Sequence, residues 1–238
     1  MNTIPNQEKV PRSGSRVNDF VRGVREEVYN IFPLHRFDIY LNESGQNYVR
    51  ALRLYAWNIE ISAALLGGLH ILEVTLSNSI MQQLTKSEMK LDWWNTPKIL
   101  FPDSLKIINS SKTKFQPNSK GRSELLVPEV GFGFWIGLFA KRYHQNLWGP
   151  YLRRALPNYS GTRANIHGEL EEIRLLRNRI AHHETVFNKN IAELHYSIIR
   201  ITSFVNSEAG IWLKKNSRVD AVLKKKSLVL NGEYETSF

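Results

Sequence analysis

The sequence predicts an all-α protein, an irregular bundle of helices, on three observations. Apolar residues recur at spacings of three and four along most of the chain, no strand-like alternation lasts more than a few residues, and turn-forming clusters separate the periodic segments. With 238 residues, 42% of them hydrophobic, there is enough material for a sizeable core. One helical domain is expected over residues 15–216, preceded by a flexible arm at 1–14 and followed by a basic extension at 217–238.

Each element follows from its pattern. Val17, Phe20, Val21, Val24, Val28 and Ile31 mark a first amphipathic helix ending at Pro33. Asn42-Glu43-Ser44-Gly45 reads as a turn and cap, after which Val49, Leu52, Ala56, Ile59, Ala63 and Leu66 form the stripe of a long helix running past Gly67-Gly68 toward Leu84. Paired glycines can bend a helix, split it or admit a neighbouring backbone, and the sequence leaves all three open. From Asp92 to Pro128 the composition changes to Trp93-Trp94, prolines and a polar stretch with Lys112, Lys114, Lys120 and Arg122, read as a short helix within a basic, mobile connection whose loop spans about 109–127. Phe132, Trp135, Phe139 and Tyr143 fall on one helical face and are read as core rather than as a base-stacking platform. Pro157 to Thr162 is a break. Ile166, Leu170, Ile173, Leu176 and Ile180 then mark a strongly amphipathic helix, and Ile191, Leu194, Ile198, Ile201 and Val205 another.

Composition narrows the function. There is no cysteine, which excludes disulfides and thiolate-bound metals and suits a reducing cytoplasm. The first twenty residues lack the apolar core of a secretory signal, and the runs Ile61 to Leu69 and Gly131 to Ala140 fall short of the roughly 20 residues of a membrane span, so a cytoplasmic protein without membrane contact is expected. A formal net charge of +10 attracts polyanions, nucleic acid first. No phosphate-binding Gly-x4-Gly-Lys loop and no Ser-His-Asp arrangement is legible, so those enzyme classes drop out. No metal is expected, because the adjacent His182 and His183 point apart on a helix and no His-x3-His pair occurs. His70, inside an apolar run, reads as a core histidine; His35, His144 and His195 are isolated.

The segment Arg177-Asn178-Arg179-Ile180-Ala181-His182-His183-Glu184 carries the chemistry. Arg177 lies on the edge of an apolar stripe, with His182 about 7.5 Å further along the axis and about 140° round. Metal-free RNA cleavage needs a base for the 2′-hydroxyl, an acid for the departing 5′-oxygen and a cation for the phosphorane. Histidine and arginine supply all three, but one histidine cannot easily be acid and base on opposite sides of the phosphorus. A twofold dimer would supply a second copy. The structural alternative is Arg177 paired with Glu169, Glu171 or Glu172, and His182 held by the helix dipole.

The Arg-x4-His pattern resembles the signature of the HEPN superfamily, and the longer string resembles its Abi-like branch. Further segments match in order: Arg36-Phe37-Asp38-Ile39-Tyr40-Leu41, Leu54-Tyr55-Ala56-Trp57-Asn58, Leu72-Glu73-Val74 and Gly133-Phe134-Trp135, so the likeness covers about residues 34–210. It implies an irregular HEPN-like helical bundle with the motif on an interface helix of a homodimer, and a composite, metal-independent endoribonuclease site. Arg177 and His182 take the catalytic roles, with Asn178, His183 and Glu184 supporting. Arg174, Lys141 and Arg142 are the candidate RNA contacts. No cofactor is implied; RNA is the partner, with a neutralising antitoxin, protein or RNA, as a further one. The expected function is a toxin-like effector of antiphage abortive infection that cuts RNA to a 2′,3′-cyclic phosphate, the alternative being a non-catalytic RNA-binding or sensor module. Relatives often carry a basic residue before the asparagine where this chain has Ser77-Asn78. Glu184 stands where toxins paired with nucleotidyltransferase antitoxins carry a modified tyrosine, which argues against that regulation.

Overall fold

Leu34–Glu43 forms α1 and Tyr48–Lys86 forms α2, a single helix of 39 residues. The computed structural model describes residues 34–86, 93–112 and 129–238, and among the described residues every regular element is helical. The expected arm, the helix from Val17 to Phe32 and residues 113–128 of the basic connection lie outside them. Contacts divide the chain into two compact units, residues 1–59 with 225–238, and residues 60–224.

In the first unit the chain turns between α1 and α2 through Gly45 and Gln46, both at positive φ, and Asn47 caps α2 by accepting from the Arg50 amide at 3.1 Å. Phe37, Tyr40 and Tyr55 cluster with ring centroids 5.1 to 6.4 Å apart. Lys226–Asn231 (α9) ends at Gly232, φ 79°, and Val229 is buried. A side chain at position 232 would strike the Arg53 guanidinium, so glycine answers both the backbone and the packing.

In the second unit α2 supplies the buried ridge Ile61, Leu65, Leu69, Leu72, Leu76 and Ile80. The stripe read from the sequence, Val49 through Leu66, lies to one side of the ridge actually buried. Its residues are half-buried, Leu66 is exposed, and Leu54, Trp57 and Ile61 take the core. A helix apolar nearly all round has no single face that periodicity can select. The glycine pair does not split the helix, which is continuous from Tyr48 to Lys86. Gly68 is buried against the side chains of Ile198 and Leu213, which a Cβ would meet at 3.4 and 3.7 Å, ordinary contact distances, and no neighbouring backbone approaches it that closely. Taken whole, α2 is long and apolar enough to cross a membrane by length and composition, where the separate runs read from the sequence were too short; 44% of its most apolar window is buried inside the fold.

The tryptophan pair expected in a mobile connection is instead an anchor. Trp93 and Trp94 sit in a 3-10 turn, buried, and Pro102–Lys112 (α3) follows, so the expected loop at 109–127 begins as helix. The aromatic stripe is core, as read, but not one helical face: Phe132–Gly137 (α4) ends and the chain continues through short irregular turns, each seating its aromatic with Phe132, Trp135, Phe139 and Tyr143 all 2% exposed or less. Arg163–Ala181 (α5) and Ile191–Val205 (α6) match their predicted stripes. Ser207–Asn216 (α7) crosses α6 at Gly210, where a Cβ would come within 2.9 Å of Ser203 Cβ and 3.0 Å of its Cα. Val219–Lys224 (α8) buries Val219 and Val222, so residues 217–224, expected as part of a basic extension, belong to the second unit's core.

Candidate functional site

Helix α5 starts with Thr162, whose hydroxyl accepts from the Asn165 amide at 3.2 Å, and buries Ile166, Leu170, Ile173, Leu176 and Ile180. On an ideal helix Arg177 falls within about 40° of Ile166, Leu170 and Ile173, well inside the buried stripe rather than at its edge. Arg177 is half-buried. It makes no hydrogen bond or ion pair among the described residues.

The carboxylates expected to neutralise it are engaged elsewhere. Glu171 accepts from Arg174 Nε at 2.8 Å and stands 2.7 Å from its Nη2, while Glu169 accepts from Arg200 at 2.6 Å. Glu172 is exposed and forms no pair. An arginine withdrawn from water without a counter-charge is costly, and its planar fork suits an incoming phosphate.

The helix ends in two backbone bonds: the His183 amide donates to Ile180 O at 3.1 Å and the Glu184 amide to Arg179 O at 2.8 Å. The same pair of bonds closes α9, from Gly232 to Val229 at 3.0 Å and Glu233 to Leu228 at 2.8 Å. Both caps need a left-handed residue; α9 uses glycine and α5 uses His183, φ 56°. A side chain in that conformation costs roughly 1–2 kcal/mol. His182, His183 and Glu184 are all exposed, and the rings of His182 and His183 have no partner among the described residues. Asn178, half-buried, likewise makes no side-chain bond there, whereas Glu184 pairs with Arg179 at 3.6 Å.

Two candidate RNA contacts are occupied. Arg142 forms a fork with Asp103 at 3.0 and 2.7 Å, reaches Ser104 at 3.2 Å, and lies 5.0 Å from the ring centroids of both Phe101 and Tyr143. It pins α3 and is not a free phosphate ligand; Asp103's carboxyl is held below its ordinary range by that hydrogen bond. Arg174 is neutralised by Glu171. Lys141 is exposed. Ser77 turns its hydroxyl back to Glu73 O at 2.6 Å and is buried, leaving Asn78 exposed beside it.

The histidines exchange roles relative to expectation. His70 is exposed, because position 70 faces away from the α2 ridge, and the buried histidine is His195 at 4% exposure. Its Nε2 lies 2.8 Å from Ser217 Oγ and its Nδ1 3.3 Å from Asp220 Oδ1. A Ser-His-Asp arrangement that the sequence did not show is therefore assembled by the fold, from residues on α6, the α7–α8 link and α8. No local spacing signals it, since its members lie on separate elements. Burial pushes the His195 imidazole below its ordinary pKa, and Asp220 partly opposes this. His167 is lowered in the same way, against Glu171. Among the described residues no three histidine, aspartate or glutamate side chains converge as a metal site would require.

No protein-family model, no curated protein and no solved structure matches this chain.

Proposed function

We propose that the chain is a metal-independent, HEPN-type endoribonuclease of the Abi-like kind, acting in the cytoplasm as a toxin-like effector of antiphage defence. The observation that carries the reading is the half-buried guanidinium of Arg177, unpaired among the described residues, about a turn and a half before the exposed imidazole of His182, which has no partner among them either. Among the described residues, none of the three carboxylates expected to neutralise Arg177 does so: Glu169 and Glu171 pair with other arginines, and Glu172 is exposed without a pair.

In the proposed reaction one His182 takes the proton of the ribose 2′-hydroxyl, the 2′-oxygen attacks phosphorus, and the 5′-oxygen leaves with a proton from a second His182. The product is a 2′,3′-cyclic phosphate and a free 5′-hydroxyl. Arg177 holds the non-bridging oxygens as charge builds on the phosphorane. Two imidazoles require two chains. Leu175, 55% exposed, lies seven residues before His182 and within about 20° of it on the helix, so it supports a homodimer seam running beside the histidine.

The decisive experiment incubates purified protein with total RNA in excess chelator and maps the cut ends. Cleavage to cyclic phosphates that disappears in the Arg177→Ala, His182→Ala double variant is expected. Cleavage persisting in that variant would sink the assignment, and salt-dependent binding without cleavage would favour a non-catalytic RNA-binding or sensor module.

A further inference from the structure

We propose that Ser217, His195 and Asp220 form a second catalytic centre, separate from the Arg177–His182 motif, in which Ser217 is the nucleophile for transfer of a small acyl group. The geometry sets the roles. A carboxylate only accepts hydrogen bonds, so the ring nitrogen facing Asp220, Nδ1 at 3.3 Å, carries the imidazole proton. That leaves Nε2 as an acceptor 2.8 Å from Ser217 Oγ, the position of a general base toward its nucleophile. The Val219 amide donates to Ser217 Oγ at 3.3 Å, which directs the hydroxyl's own proton toward His195. Orienting carboxylate, base and hydroxyl thus stand in the order by which such triads are recognised, whatever their order in sequence.

The three side chains differ in exposure: His195 is buried, Ser217 half-buried, and the Asp220 carboxylate lies largely in solvent. Burial lowers the His195 pKa while Asp220 partly opposes the shift. Lys214 and Lys215 close α7 and Arg218 follows Ser217, all exposed, which favours an ester that carries negative charge.

Ser217 Oγ bonds to the carbonyl carbon while its proton passes to His195 Nε2, and the bond to the leaving oxygen breaks as Nε2 gives that proton to the departing alcohol or phenol. Water, deprotonated by the now neutral nitrogen, attacks the acyl carbon, the acid is released, and the proton returns to Ser217 Oγ. No oxidant or further reactant is needed. Ser217 and His195 touch the reacting atoms, and Asp220 is a positioning residue.

The test treats the full-length protein with a fluorophosphonate, which forms a Ser217 Oγ–P bond with loss of fluoride, and maps the adduct by peptide mass spectrometry. An adduct at Ser217 is expected, abolished by Ser217→Ala and at least about tenfold slower in His195→Gln, in line with the usual contribution of a general base. With p-nitrophenyl acetate, Asp220→Asn should lower kcat with KM unchanged, and Asp220→Glu should restore part of it. Absence of the adduct in the folded wild-type protein would overturn the proposal without any variant being made. Labelling at equal rate in wild type and His195→Gln would do the same, leaving the three residues as a tie between α6 and α8.

Discussion

Arg179 and Glu184 are joined twice: the Glu184 amide donates to the Arg179 carbonyl at 2.8 Å, and their side chains pair at 3.6 Å. These ties close α5 and set the chain path through His182 and His183. The last turn of the motif helix is therefore held by its own residues, while the Arg177 side chain has no partner among the described residues.

That ending depends on a left-handed His183, which leads to a stability prediction. His183→Gly relieves the backbone and should stabilise the protein by about 1 kcal/mol, a rise of roughly 2–4 °C in Tm for a chain of this size. His183→Val, branched at Cβ, should lower Tm. Thermal melts of the three proteins check both signs. RNA cleavage by His183→Gly should be retained, because the path holding His182 is unchanged.

Charge geometry should matter more than charge at position 177. Arg177→Lys keeps the cation but loses the fork, and cleavage is expected to fall by about 10²–10³-fold, the usual cost of losing a phosphorane contact. RNA binding at low salt should change little. Single-turnover cleavage beside filter binding separates the two effects.

The exposed Leu175 gives a prediction on assembly. Leu175→Lys should convert a dimer to monomers in sedimentation while leaving the melting curve almost unmoved, since the side chain contributes little to the monomer core. Cleavage should be lost with the dimer. A monomeric variant that still cuts at the wild-type rate would remove the need for a composite site.

Two histidines govern stability on the acid side. His195 and His167 are both held below their ordinary pKa, chiefly by burial. The folded state therefore binds fewer protons than the unfolded chain in the window just below about pH 6.5. Their contribution is present above the unfolded pKa and is lost as pH falls through the depressed folded values. Urea unfolding at pH 7.5 and 5.5 should show the decline, with a shallower slope in His195→Gln.

Glycine substitutions test the packing of α2 and α7. Gly67→Ala meets nothing within 4 Å and should stabilise the protein by about 0.5–1 kcal/mol through helix propensity. Gly210→Ala collides with Ser203 and should lower Tm by several degrees. Paired denaturation curves decide both.

Periodicity and residue chemistry were enough to identify an all-α chain, the helices at Arg163–Ala181 and Ile191–Val205, and the aromatic core from Phe132 to Tyr143. These are local properties, fixed by which residues recur at helical spacing. Tertiary structure alone decided which carboxylates reach which arginines, so that Arg142 and Arg174 are neutralised and Arg177 is not. It also chose the buried ridge of α2, because a helix apolar on nearly every side acquires an inside only when something packs on it. His195, Ser217 and Asp220 converge for the same reason: ion pairs and relays are set by distances between elements, and sequence spacing does not encode those distances.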